Sequence, residues 1–371
     1  MTNNSTGGSN FKMRVEEILK DLVAINTIRD EDNETFMAYI EAFLKPYGFE
    51  IERRKNEITG KEVLVGTFGE EATLGFLGHT DTVDITDGWV TDPFTLTEKD
   101  GLLYGLGACD MKGGIAAALW AISQAPLDEI KAAGKGIKVY WTYDEEIMFG
   151  GIRDLVNGNE QFPPHVLICE PTDLYPNIGS KGLLEWILNF KGVTTHSSAP
   201  IPGKNANKNA VKFLNKMLEL EEELAEGNYP IFAVPHTTMN IGIMKGGTAI
   251  NKVPDKCTVY LDFRIANSET EQDKIRNTVE EALKEFDVEI NKINDIPSLL
   301  NRGERVGWYE QWTGKESCAG TGITEASFFG GDRVIIGPGP KTAHQKNECV
   351  SLESLETSAR LYLDAIKREC L

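Results

Sequence analysis

The sequence predicts an α/β domain with a mostly parallel sheet, interrupted by a smaller inserted α+β domain. Three observations predict this organisation. Strands alternate with helices up to about residue 178. Over 179–294 the pattern changes to strands in which apolar and polar residues alternate, and over 295–371 the alternation of strands with helices returns. We therefore expect one domain from 1–178 and 295–371, with 179–294 inserted into it.

The first part of the chain alternates helical stripes with short β-rich runs. Apolar residues at helical spacing predict helices over 11–26, 34–48 and 111–124. Runs rich in β-branched and aromatic residues predict strands over 63–68, 73–78, 137–143 and 165–170. Because helices separate most of these strands, we expect a largely parallel sheet that is covered on both faces.

The inserted part has a different order of elements. Alternating apolar and polar residues predict strands over 183–193, 237–247, 256–265 and 288–293. Helical stripes occupy 204–224 and 268–286. The order strand, helix, two strands, helix, strand predicts a small sheet with its helices on one face, and a last helix over 351–370 returns to the first domain.

Composition excludes some classes of partner. The chain has 371 residues, 41% hydrophobic and 26% charged, with a formal net charge of -19. Such a charge disfavours nucleic acid and anionic membrane surfaces as partners. The six cysteines form no C-x-x-C pair, and neither a signal peptide nor a membrane-length apolar run is visible. We therefore expect a reduced, cytoplasmic protein.

Acidic and histidine side chains follow the predicted strands or lie in the loops beside them. They are His79, Asp81, Asp110, Glu145, Glu146, Glu170 and His344. The carboxyl ends of parallel strands form a ligand-binding crevice, so we expect these groups to converge. Carboxylates sharing one crevice repel each other, and a pair of divalent cations would relieve that repulsion. Imidazole with carboxylate suits zinc, with cobalt or manganese as lesser candidates.

The ligands divide evenly if Asp110 bridges the two ions. His79 and Glu170 then belong to one ion, and Glu146 and His344 belong to the other. Paired metals lie about 3.5–4 Å apart in such sites, and one shared carboxylate fits that separation.

Two carboxylates have expected roles beside the ligands. Asp81 lies two residues after His79, so it points to the same side and is expected to accept the second imidazole N–H. Glu145 and Glu146 are adjacent and face different ways, which leaves one of them free as a general base.

Six segments together resemble the two-metal amidohydrolase family that includes acetylornithine deacetylase, succinyl-diaminopimelate desuccinylase, aminoacylase and glutamate carboxypeptidase. The segments are GHTDTV, GLGACDMKGGIAA, YDEEIMFGG, ICEPTDL, THSSAP and TAHQKNE. The resemblance runs from about residue 12 to the end. It implies a catalytic α/β domain, a ferredoxin-like lid that often dimerises, two zinc ions (or cobalt), and hydrolysis of an N-acyl or peptide bond beside a carboxylate.

The resemblance also assigns roles to individual residues. The family's metal ligands match His79, Asp110, Glu146, Glu170 and His344, with Glu145 as general base and Asp81 as the orienting carboxylate. His196 matches a lid histidine that polarises the scissile carbonyl. Asn251, Arg264, Lys181 and Thr324 match substrate contacts, although a salt bridge within the lid is an equal alternative for Arg264.

The segments EPT and GITEASFF look more like acetylornithine deacetylase than the other branches. This likeness implies an N-acyl-L-amino acid substrate and a place in arginine biosynthesis. The alternative hydrolytic activities are those of other members of the same family, namely succinyl-diaminopimelate desuccinylase and dipeptidase or carboxypeptidase. The alternative from another class is a metal-bearing binding protein without catalytic activity. The intact base and ligand set argue against it.

Overall fold

The computed structural model describes residues 13–371, apart from 29, 30, 32, 202, 302, 321 and 341. The chain packs into two compact units. The first unit comprises Met1–Pro176, Glu304–Glu316 and Gly330–Leu371, and the second comprises Asn177–Gly303 and Ser317–Phe329. Residues 295–303 and 317–329, which the sequence assigned to the first domain, thus pack with the second unit. The expected functional domains, divided at 179 and 294, remain a prediction.

The described elements follow one another in a mixed order along the chain. The helices are α1 (Val15–Val23), α2 (Glu34–Leu44), α3 (Lys112–Gln124), α4 (Leu127–Ala132), α5 (Gly150–Asn157), α6 (Ala206–Leu224), α7 (Ser268–Leu283), α8 (Val306–Thr313) and α9 (Leu352–Cys370). The strands are β1 (Glu50–Lys55), β2 (Glu62–Gly69), β3 (Glu71–His79), β4 (Thr97–Lys99), β5 (Leu102–Tyr104), β6 (Lys135–Thr142), β7 (His165–Ile168), β8 (Asn177–Ser180), β9 (Gly182–Lys191), β10 (Thr238–Gly246), β11 (Lys256–Ile265), β12 (Val288–Ile296), β13 (Leu299–Leu300), β14 (Cys318–Ala319), β15 (Asp332–Ile335) and β16 (Cys349–Ser351).

The first unit is built on a largely parallel sheet. Its strands lie in the order β1-β2-β6-β3-β7-β15. β3 pairs in parallel with β6 and β7, and β7 pairs in parallel with β15. β2 pairs antiparallel with both β1 and β6. The prediction of a mostly parallel sheet is confirmed, with an antiparallel edge. A separate small sheet joins β16, β5 and β4.

The second unit contains an antiparallel sheet in the order β10-β11-β9-β12. The two central strands, β9 and β11, alternate buried and more exposed residues along most of their length, whereas the edge strands β10 and β12 are mostly exposed. Helices α6 and α7 pack on the buried face around Phe190, Phe213, Met217 and Phe263. The element order β9-α6-β10-β11-α7-β12 is that of a ferredoxin-like fold, which confirms the expected architecture.

Two further expectations concern the start of the first helix and the presence of a membrane-spanning helix. Residues 11 and 12 of the first predicted helix lie outside the described residues, and the described helix begins at Val15. Among the described helices, none combines the length and the apolar character that crossing a bilayer requires.

Candidate metal centre

Three neighbouring parallel strands deliver the predicted side chains to one edge of the first unit's sheet. β3 ends at His79. β6 and β7, its neighbours on either side, lead into Glu145–Glu146 and Glu170. Because parallel strands end at the same edge, the fold itself brings these groups together, as the sequence predicted.

Asp110 lies between the two histidines and faces one carboxylate oxygen toward each. Its Oδ1 is 3.2 Å from Nε2 of His79, and its Oδ2 is 3.5 Å from Nε2 of His344. His344 comes from the loop between β15 and β16, and its φ of 61° lies in the left-handed region. Such backbone conformations are costly for a residue with a side chain and are frequent at functional sites.

The contacts of His79 fix the orientation of its ring. Its Nδ1–H donates to the backbone carbonyl of Asp81 at 2.9 Å. Its Nε2 then faces Oδ1 of Asp110 at 3.2 Å and the Glu170 carboxylate at 3.8 Å. A neutral imidazole with its other nitrogen bonded in this way is the form that ligates metals.

The carboxylate of Asp81 makes contacts that differ from the expected one. It lies 3.6 Å from Nδ1 of His79, which is longer than a hydrogen bond. Instead it accepts the backbone N–H groups of Glu145 and Glu146, both at 3.2 Å. The main chain of Asp81 therefore orients the imidazole while its side chain anchors the turn that carries the two glutamates.

The remaining ligand candidates complete two groups of donor atoms. His79, Glu145 and Glu170 offer ligand atoms that all lie within 4.8 Å of one another, and so do His79, Asp110 and Glu146. Nε2 of His344 lies 2.8 Å from Oε1 of Glu146. The structure thus brings all seven predicted residues of this unit into one cluster. The carboxylate of Glu145 lies next to the ligand atoms of His79 and Glu170.

Electrostatics within the cluster favour a cation. Burial raises the pKa of Glu145 well above its ordinary value, and the charges of Glu170, Glu146 and Asp110 raise it further. Burial acts to lower the pKa of His79, but Asp110, Asp81 and Glu145 outweigh it and raise that pKa. Negative charge therefore exceeds the positive charge available from the protein in this cluster.

The donor set fits divalent cations on these grounds. Two imidazole nitrogens, both presented through Nε2, face carboxylate oxygens that crowd one another. Nitrogen and carboxylate oxygen are ligands for zinc and related ions. Bound cations would offset the crowded negative charge that raises the pKa of Glu145.

Residues that the sequence reasoning did not single out hold this cluster in place. Glu348 accepts backbone N–H groups of the loop that carries Asp110. Burial raises its pKa to about 7, although those hydrogen bonds oppose the rise. Lys61 pairs with Asp144, the residue before Glu145. An acid four residues after His344, followed by a buried strand, was the available signal for Glu348.

In the second unit, His196 and Asn251 lie side by side on exposed loops. Nδ1 of His196 is 2.7 Å from Oγ of Ser198. The backbone N–H of Ser197 donates to the carbonyl of Asn251 at 2.9 Å. Both residues are exposed.

The other three expected substrate contacts are bonded within the second unit. Arg264 forms a two-pronged pair with Asp262 at 2.9 and 3.0 Å, which is the salt-bridge alternative. Lys181 donates to the carbonyl of His236 at 2.6 Å. The Thr324 hydroxyl accepts the N–H of Ala326 at the start of a short 3-10 turn. In this arrangement each has a structural partner.

Comparison with known proteins agrees with this class of site. Residues 75–368 match the model of peptidase family M20/M25/M40. Acetylornithine deacetylase of Photorhabdus laumondii is 31% identical over 376 residues, covering 96% of this chain and 97% of the relative. Acetylornithine deacetylase of Myxococcus xanthus is also 31% identical, covering 95% and 96%.

Solved structures share the fold at low identity. The aminopeptidase PepT from Bacillus cereus superposes with a TM-score of 0.74 and 20% identity, covering 96% of this chain and 98% of that one. A dinuclear metal-binding peptidase, YXEP of Bacillus subtilis, gives a TM-score of 0.65 and 15% identity, covering 95% and 98%.

The fold and the histidine–carboxylate cluster define a metal-dependent hydrolase. The chain belongs to peptidase family M20/M25/M40. The family resemblance expected from the six sequence segments is thereby confirmed.

Proposed function

We propose that this protein hydrolyses the amide bond of an N-acyl-L-amino acid of the acetylornithine type. The observation that carries the proposal is the position of Asp110, with one oxygen facing each histidine and three glutamates around it. Relatives of this length and 31% identity that are named acetylornithine deacetylase support this choice of substrate. A substrate of this kind would place the enzyme in arginine biosynthesis.

The residues that would hold two divalent cations are His79, Asp110, Glu146, Glu170 and His344. Asp110 would be shared between the two ions, because it has one oxygen toward each histidine. Two divalent cations held there would supply a more acidic water and an electrophile for the amide carbonyl. Zinc is the proposed metal because imidazole and carboxylate suit it, and cobalt is the substitute.

Glu145 is the proposed general base. Its carboxylate lies within 4.8 Å of the ligand atoms of His79 and Glu170. It would take a proton from the attacking water and return it to the leaving amine. Asp81 would hold the Glu145 main chain through the hydrogen bond already described, so that the carboxylate keeps its place during proton transfer.

We propose that His196 donates a hydrogen bond to the developing oxyanion and that Asn251 contacts the substrate. Their exposure within the second unit supports both roles. Arg264, Lys181 and Thr324 would each have to exchange a present partner for the substrate, with Arg264 suited to a carboxylate.

Two finer points complete the proposal. We propose a cytoplasmic homodimer formed through the second unit. The edge strand β10 supports this assembly, because Ile243 and Met244 on it are 40% and 43% exposed. An exposed strand edge with apolar side chains offers pairing groups to a second copy.

The experiment is an amine-release assay on N-acetyl amino acids, N-succinyl amino acids and dipeptides, with added zinc or cobalt. We expect N-acetyl amino acids to be preferred and a chelator to abolish turnover. Glu145→Gln should lower kcat by about 10²–10⁴-fold, the usual contribution of a general base, while its metal content stays at the wild-type level.

Glu146→Gln is the matched control, because it removes a proposed ligand beside the proposed base. It should lose both turnover and bound metal. Near-normal turnover by Glu145→Gln would refute its role as base, and absence of turnover on the whole panel by the metal-loaded protein would refute the proposed activity.

A further inference from the structure

The side chain of Glu348 is held by three backbone N–H groups of a single loop. Its Oε2 accepts the N–H of Gly107, and its Oε1 accepts those of Cys109 and Asp110, all at 2.8 Å. Glu348 is only 2% exposed. Successive backbone N–H groups that converge in this way form a concave site for an anion. Here the anion is the chain's own carboxylate.

Glu348 also belongs to the loop that carries His344, which we call the His344 loop (residues 342–349). The hydroxyl of Thr342 donates to the carbonyl of Cys349 at 2.7 Å and accepts its N–H at 2.9 Å. These two bonds tie the ends of the loop together. The position of Glu348 is therefore linked to that of His344.

The loop that carries Asp110, residues 105–110, is joined to the His344 loop at further points. The N–H of Gly105 donates to the carbonyl of Glu348 at 3.1 Å. β5 pairs with β16 immediately beside this bond. The side chain of Glu348 extends this connection to Asp110, because its Oε1 accepts the backbone N–H of that residue.

We propose that Glu348 is a positioning residue that holds the Asp110 loop and the His344 loop in one arrangement, so that both side chains present their ligand atoms together. Nε2 of His344 and Oδ2 of Asp110 are 3.5 Å apart in this arrangement. Outer partners that orient ligands commonly contribute 10- to 100-fold to metal affinity. This inference rests on the proposed metal site, although it concerns binding of the ions and not hydrolysis.

The test compares the affinity of metal-stripped variants for Zn²⁺ in competition with a chromophoric chelator. Glu348→Gln keeps the shape of the side chain and one acceptor oxygen. Its amide nitrogen cannot accept a hydrogen bond, yet it must face at least one of the three backbone N–H donors. We expect it to bind Zn²⁺ about 10- to 100-fold more weakly than wild type. Circular dichroism at the same temperature checks that it is folded.

Glu160→Gln is the control for a general loss of stability. Glu160 is another carboxylate of the first unit, with 6% of its side chain exposed, and it pairs with Arg54 and Lys138. Its replacement should leave Zn²⁺ affinity unchanged. If Glu348→Gln binds Zn²⁺ as wild type does, or if both variants lose affinity equally, the positioning role is wrong.

Chemical rescue separates positioning from a general structural effect. Glu348→Ala empties the anion site, and added formate is small enough to occupy it. Formate should recover part of the lost Zn²⁺ affinity in Glu348→Ala and give no gain in wild type or Glu160→Gln. Absence of rescue in a folded Glu348→Ala would overturn the proposal. If wild type binds no Zn²⁺ at all, the proposed metal site fails instead.

Discussion

A single hydrogen bond decides what each buried histidine of the first unit can do. His79 donates Nδ1–H to a carbonyl and directs Nε2 at the carboxylates of Asp110 and Glu170. His165 also faces a carbonyl with Nδ1, that of Asp332 at 3.1 Å, but its Nε2 accepts the hydroxyl of Tyr309 at 2.6 Å. Because its Nε2 is paired with a phenol, His165 is a structural residue, whereas Nε2 of His79 lies among carboxylates that are proposed metal ligands.

His165 gives a prediction about acid stability. Burial lowers the pKa of His165. A histidine with a lowered pKa in the folded state stabilises the fold above its unfolded pKa of about 6.5, and this contribution is lost as pH falls through the folded value. Urea unfolding of metal-free protein should therefore show wild type losing more stability than His165→Gln on going from pH 7 to lower pH.

His236→Gln is the control for that comparison, because it removes a partly exposed histidine from the second unit. It tests whether removal of any histidine changes the pH dependence of stability in the same way. A His165→Gln variant with the same pH dependence as wild type would show that His165 does not titrate with unfolding.

At the residue scale, much of the cluster could be predicted from the sequence. Residues such as His79 and Glu170 lie at or just after strand ends, and the fold carries them to one edge. Contacts that depend on how separate loops meet could not be predicted. The carboxylate of Asp81 bonds to the Glu145–Glu146 main chain, and Glu348 bonds to the Asp110 loop, because tertiary packing places those amides there.

At the scale of elements, helix α3 approaches the end of β7 at a glycine. A Cβ on Gly114 would lie 1.9 Å from the carbonyl oxygen of Cys169. α3 begins two residues after Asp110, and Cys169 precedes Glu170. The absence of a side chain at Gly114 therefore lets two ligand-bearing segments come close.

Gly114→Ala should destabilise the protein by about 1–3 kcal/mol or more, because the added methyl meets rigid backbone. Gly307→Ala is the matched control, since that helical glycine has nothing within 4 Å of an added Cβ. It should be neutral or stabilise by about 0.4–1 kcal/mol. Urea unfolding measures both, and equal stabilities of the two variants would contradict the close approach at Gly114.

The elements that the sequence predicted are those with a strong apolar period. α6 and α9 each bury a continuous stripe, and both begin at a side-chain cap, Asn205 and Ser351 respectively. β1 was not predicted, because its sequence EIERRK is mostly charged and its stabilisation comes from pairing with β2. The short strands β4 and β5 likewise depend on tertiary partners that no local pattern shows.

At the scale of the whole molecule, acidic residues are both spread along the chain and concentrated at the candidate metal centre. The net charge of -19 spreads over the chain, yet four carboxylates meet in one cluster with His79 and His344. General acidity favours solubility, whereas the focused group needs counter-charge. Binding of cations by that cluster is therefore the property on which the proposed function depends.

The number of ions that the protein retains tests this claim most directly. Metal-stripped protein is saturated with Zn²⁺, freed of excess ion, and analysed by mass spectrometry of the elements alongside Asp110→Asn. We predict two ions per chain for wild type and fewer than two for Asp110→Asn, because the bridging carboxylate is lost. Retention of no ion by wild type, or of two ions by Asp110→Asn, would contradict the account.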